Sequence, residues 1–100
     1  MSGAAADAAI GTIKRTLAIT NKRGLHARAA AKFVRAAGQF DAVVRVRFKG
    51  QEVSGLSIMG LMMLAAGPGV TITISATGKD AQAAVDALCA LVSSRFGEGD

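Results

Sequence analysis

Residues 43–53, VVRVRFKGQEV, alternate apolar and charged side chains and then turn. Val44, Val46 and Phe48 fall on one side of an extended segment and Arg45 and Arg47 on the other, the period of two expected of a strand with one buried face. Lys49-Gly50 suits a hairpin turn into a short second strand near Val53. Two strands thus stand in succession at the centre of the chain, and the remaining elements are read outward from them.

Upstream, TLAIT (16–20) sets Leu17 and Ile19 against Thr16, Ala18 and Thr20, another half-buried strand. Between these strands, Ala30, Phe33, Val34 and Ala37 recur at helical spacing on a segment from Ala27 to Ala37, with Gly38 as its C-cap. Downstream, Ser57 is placed to cap a short helix to about Ala65, with Leu61, Leu64 and Ala65 inward, which Gly67-Pro68-Gly69 stops. VTITISAT (70–77) has the clearest alternation, with Val70, Ile72, Ile74 and Ala76 on one side and hydroxyl side chains on the other. From Asp80 a last helix runs to about Phe96 and buries Ala84, Val85, Leu88, Leu91 and Val92. Four strands with one apolar face and three helices to cover it predict an α+β fold. The expected form is an open-faced two-layer sandwich, βαββαβα, on a four-stranded antiparallel sheet.

At 100 residues the chain has room for one domain and a single core. Hydrophobic residues make up 51%, yet there is no Trp or Tyr and there are only four Phe, so that core is aliphatic and alanine-rich. The domain is expected over 12–96, with a mobile tail over 1–11 and a short C-terminal tail over 97–100. The lone cysteine, Cys89, rules out an intrachain disulfide and a cysteine-rich metal site, and it fits a reducing, cytoplasmic setting. The first twelve residues lack the basic start and apolar run of a secretory signal. Residues 53–78 carry no charge, but Gly60, the Gly67-Pro68-Gly69 turn and the alternating Thr/Ser positions interrupt any apolar helix of about 20 residues, so no membrane insertion is expected.

The net charge of +5 is unevenly placed: ten of the twelve Lys and Arg residues lie between Lys14 and Lys49, with Asp41 the one acid among them. That half should seek an acidic partner. Nucleic acid is one candidate, and a small basic nucleic-acid-binding module is the competing functional class. No aromatic residues interleave with the bases, however, and an acidic protein surface fits at least as well.

NKRGLHARAAAKFV (21–34) contains the only histidine, His26, where a strand ends and a helix begins. Gly24 allows a sharp turn before it. An imidazole there, beside Arg28 and the positive end of the helix dipole, is suited to act as a neutral nucleophile. No Ser, Thr, Asp or Asn stands by to receive the free amides of that helix start, and a phosphoryl group on His26 would fill the place. The plain alternative is a solvated histidine at a helix end. A metal site lacks a second His or Cys, and a general-base role lacks a partner carboxylate placed by the sequence.

GLHARAAAKFV resembles the phosphorylation segment of the HPr phosphocarrier family, in which Gly-Leu-His-x-Arg-Pro-Ala carries the phosphoacceptor histidine. SIMGLMMLAAGPG, whose serine follows His26 by 31 residues, resembles that family's second signature, around a regulatory serine. The likeness covers roughly 12–96, and AITNKRGLHAR with the ending SATGKDAQAAVDALCALVSSRFGEGD is more similar to the nitrogen-related (NPr) branch than to the sugar-transport carriers.

The resemblance implies a relay protein of the phosphoenolpyruvate phosphotransferase system, not an enzyme, and no cofactor. His26 would accept a phosphoryl group from Enzyme I on its δ1 (pros) nitrogen and pass it to an EIIA-type protein. Arg28 would neutralise the phosphoryl oxygens in flight. Ser57 would be the regulatory serine, a substrate of an HPr kinase/phosphorylase, although a plain N-cap explains a serine there too. Ile58, Met59 and Met62, with Ala27, Ala31 and Arg35, would form the surface that docks both partners, with Arg23 and Lys32 adding basic contacts; the alternative is that Ile58, Met59 and Met62 complete the core. One departure stands out. Ala29 occupies the place where the family usually has proline, which leaves the helix able to form but its start less rigid.

Overall fold

The central hairpin forms as its alternation dictates. In the computed structural model, which describes residues 12–98, β2 (Val43–Phe48) and β3 (Gln51–Ser54) pair antiparallel with Val46 opposite Val53. Lys49 and Gly50 both take positive φ, 50° and 79°, the left-handed pair that a tight two-residue hairpin turn needs.

Around that hairpin lie β1 (Thr12–Ala18), α1 (Ala27–Ala37), α2 (Ile58–Met63), β4 (Thr71–Thr77) and α3 (Ala81–Ser93), followed by a 3-10 turn over Arg95–Gly97. The chain order is the expected βαββαβα. The sheet runs β1-β4-β2-β3, every neighbouring pair antiparallel. Its inner rows, such as Ile13, Ala76 and Val44, or Ile74, Val46 and Val53, meet the helices, with α3 lying over β1 and β4 and α1 packed on α2 and α3. Phe33, Leu61, Ile72, Ile74, Val85 and Leu88 are sealed from water between the layers. Each such side chain contributes about 1.5–3 kcal/mol, so this aliphatic core drives the fold. The other sheet face presents Lys14, Thr16, Thr73, Arg45 and Arg47 to solvent.

Several boundaries differ from expectation. β1 begins at Thr12 and ends before Ile19, where a strand over 16–20 was expected. Arg15 sits opposite Ile74 on the inner side, and its guanidinium escapes at the sheet edge to Asp86 of α3, 3.3 Å away. A charge at an inward position hides the alternation. Ile19 is buried all the same, and its N–H and C=O bond to Val70 O and from Gly69 N. Ala65 does not face inward: it has φ 55° and is exposed, because the chain leaves α2 at Leu64 and buries Ala66 instead. The last helix ends at Ser93, not near Phe96, since Arg95 and Phe96 take φ values of 60° and 58° that no α-helix accommodates. Val34, Phe48, Val70 and Leu91 are half-buried against the core. Gly38 does cap α1, though in a right-handed conformation. The 1–11 tail expected from the sequence lies outside the described residues.

Candidate functional site

The strand-to-helix turn that carries His26 is built by backbone geometry. Gly24 has φ 63°, its N–H bonds to Asn21 O, and its Cα is so close to the 66–67 backbone that a Cβ would lie 2.4 Å from Ala66 O. Leu25 then donates to Ala66 O at 3.0 Å, which ties the turn to the end of α2. His26 is the N-cap of α1 with extended angles and offers no side-chain cap. Among the described residues, the amides of Ala27, Arg28 and Ala29 donate to no acceptor. The missing side-chain cap is what the local sequence implied.

His26 is 19% exposed, and its Nε2 lies 2.6 Å from Glu98 Oε2. Nδ1 has no hydrogen-bond partner among the described residues. The sequence reading missed Glu98, which it placed in a tail over 97–100. Gly97 closes the 3-10 turn and Glu98 follows it, while 99–100 lie outside the described residues. Phe96 is buried to 1%, and Lys32 Nζ donates to Phe96 O at 2.6 Å, so the chain beyond α3 is held against α1. Lys32 is therefore committed to that bond, beyond any role in a basic surface. Asn21, fully buried, donates from Nδ2 to Gly24 O at 2.8 Å and to Glu98 Oε1 at 3.2 Å. Its Oδ1 has no partner, but exchanging the amide atoms would set oxygen against two oxygens, so the orientation is fixed.

Arg28 is exposed two residues after His26, with no carboxylate engaged among the described residues, and is free to meet an incoming anion. Ala31 and Arg35 continue along the same side of α1 at helical spacing, and Ala27 and Arg23 are exposed beside it. Ser57 caps α2, its Oγ accepting from Gly60 N at 2.9 Å. Met59 is 68% exposed, and Ile58 and Met62 about 40%, so these side chains do not complete the core. Leu56 and Met63, unremarked in the sequence, widen the apolar patch at 57% and 73% exposure.

The bases do not gather into one stripe. Arg28 stands in the first turn of α1 and Arg35 in its last, whereas Lys14, Arg45 and Arg47 lie on the open sheet face, where Arg45 meets Glu52 at 3.8 Å. A cleft lined by Lys32, Arg35, Ala36, Gln39 and Leu91 does not include His26. Cys89 is buried, and burial pushes its thiol up against the opposing pull of Arg15, which disfavours the thiolate. Among the described residues no cluster of three or more His, Cys, Asp or Glu could hold a metal ion, and no helix is long and apolar enough to cross a membrane.

A half-buried imidazole at a helix start without a side-chain cap, near exposed apolar and basic side chains, is the arrangement a histidine phosphocarrier would need: a ring to take the group and donors to receive its oxygens. A family model described as "PTS HPr component phosphorylation site" matches residues 13–94. Phosphocarrier protein HPr of Cupriavidus necator is 51% identical over 88% of this chain and 99% of its own length. Phosphocarrier protein NPr of Shewanella violacea is 46% identical over 86% and 94%. Among solved structures, HPr-C-His from Thermoanaerobacter tengcongensis aligns with a TM-score of 0.84 at 41% identity, covering 88% of this chain and 99% of that one. The chain belongs to the HPr family of phosphotransferase-system phosphocarriers, which are transiently phosphorylated on histidine and are not enzymes.

Proposed function

We propose that His26 is the phosphoacceptor, taking a phosphoryl group on Nδ1 from Enzyme I and passing it to an EIIA-type protein in the cytoplasm. The observation that carries this reading is the geometry of the single histidine: Nε2 is engaged by Glu98, Nδ1 is open, and the first-turn amides beside it have no other acceptor among the described residues. The phosphoryl oxygens would be received by those amides and by Arg28, which need only position and neutralise the group. Ile58, Met59 and Met62, with Ala27, Ala31 and Arg35, form the docking surface. Flexible methionines ringed by cations suit several acidic partners in turn.

Phosphorylation of Ser57 by an HPr kinase/phosphorylase would place negative charge at the start of α2, which the helix tolerates, but on the face that must meet acidic proteins. The output is assigned to the nitrogen-related regulatory branch on the strength of AITNKRGLHAR and the final 26 residues. Sugar transport is the second reading, favoured by the identity to the Cupriavidus necator HPr.

Incubation with phosphoenolpyruvate and the cognate Enzyme I should give an acid-labile phosphate that is absent from His26→Ala. Label surviving in the variant would overturn the assignment. Offering the phosphorylated protein a stand-alone EIIA and a permease-linked EIIA separates the branches by which one discharges it faster.

A further inference from the structure

We infer that Glu98 is a positioning residue for phosphoryl transfer, fixing which nitrogen of His26 is the nucleophile; this rests on the reading of His26 as acceptor. An ionised carboxylate only accepts hydrogen bonds, so at 2.6 Å the proton between Oε2 and the ring belongs to Nε2. The lone pair of the neutral ring is then on Nδ1. The two nitrogens of a histidine are distinguished by the bond that one of them makes, and here that bond comes from the far end of the chain.

Glu98 does not reach His26 by chance flexibility. Its side chain is 13% exposed, and its other carboxylate oxygen receives Asn21 Nδ2. Asn21 also bonds Gly24 O, so one buried amide joins the turn that presents His26 to the carboxylate that orients it. Behind Glu98, the buried Phe96 ring and the Lys32 bond to Phe96 O fix where the chain emerges.

The chemistry benefits in both directions. On loading, the Nδ1 lone pair forms the N–P bond while the bond from phosphorus to the donor breaks and its electron pair stays with the donor. The ring keeps its Nε2 proton and becomes cationic, and Glu98 supplies the matching negative charge. On unloading, the N–P bond breaks, its pair returns to Nδ1, and Nε2–H is unchanged. No proton has to move in either step.

The test compares wild type, Glu98→Ala and Glu98→Gln, with His26→Ala as reference. Long-range 1H–15N correlation of the unphosphorylated protein at a pH where the ring is neutral reads the tautomer without any partner. Single-turnover transfer from phosphorylated Enzyme I reads the rate. The expected result is a dominant Nε2–H tautomer in wild type, a mixture in Glu98→Ala, and loading slowed about tenfold in that variant. Glu98→Gln has one acceptor oxygen for two donors, His26 Nε2–H and Asn21 Nδ2, so its amide nitrogen opposes one of them; it should hold the tautomer less completely than wild type and recover only part of the rate. Unchanged tautomer populations in Glu98→Ala, or transfer as fast as wild type or faster, would overturn the inference. If His26→Ala retains label, the acceptor assignment itself has failed. If His26→Ala is inert and the Glu98 variants match wild type, only the role of Glu98 is lost.

Discussion

Replacing Gly24 by alanine tests whether the turn before His26 is held as tightly as its geometry indicates. Two costs apply. A left-handed angle at a residue with a Cβ costs about 1–2 kcal/mol. The new methyl would stand 2.4 Å from Ala66 O and 2.8 Å from Gly67 Cα, both backbone atoms that cannot swing aside. Forcing the two segments apart adds about 1–3 kcal/mol by analogy with overpacked cores. The internal control is Gly50→Ala: φ there is 79°, but nothing lies within 4 Å of the added Cβ, so only the first cost applies. The expected losses are about 3 kcal/mol for Gly24→Ala and about 1 kcal/mol for Gly50→Ala. For a domain of this size that corresponds to Tm falling by roughly 12–24 °C and 4–8 °C. Urea titration gives both values directly, and the rate of phosphorylation should fall only in the Gly24 variant, because only that turn positions His26. If Gly24→Ala costs no more than Gly50→Ala, the close approach between the His26 turn and the end of α2 is not what fixes the site.

Further outcomes follow from the helix starts. Ser57→Ala removes the Oγ bond to Gly60 N and should cost about 1 kcal/mol by denaturant titration, whereas Ser57→Asp retains a capping oxygen, should stay within about 0.5 kcal/mol of wild type, and should slow transfer from Enzyme I by its charge. Ala29→Pro should change stability by less than about 1 kcal/mol, because the Ala29 N–H donates to no acceptor among the described residues and a proline there loses no bond. A loss above about 3 kcal/mol would mean that the ring collides with the buried surroundings of Ala29.

The sequence was most informative where one periodicity acted alone. VVRVRF alternates without interruption and became β2, and α1 matched its expected bounds because a histidine that does not cap and a glycine mark its two ends. β1 was read too far along the chain because Arg15 occupies an inward position that only an edge strand permits, with Asp86 waiting 71 residues later. The placement of His26 and Arg28 at a helix start was legible from the local sequence. Glu98 was not. Its contact spans 72 residues and depends on two non-glycine residues, Arg95 and Phe96, adopting left-handed angles against their propensity. The burial of Phe96 compensates for that strain, and burial is a property of the assembled core that a short window of sequence does not display.

The bond from Lys32 to the Phe96 carbonyl also governs how this protein can be handled. A bulky group attached close to Glu98 would crowd the side chain that grips His26, and with it the surface such a group is meant to report on. Thr12 lies at the opposite end of β1 from the turn, about 20 Å away at the rise of an extended strand. Fusions and immobilisation for partner screens therefore belong away from the segment that follows α3.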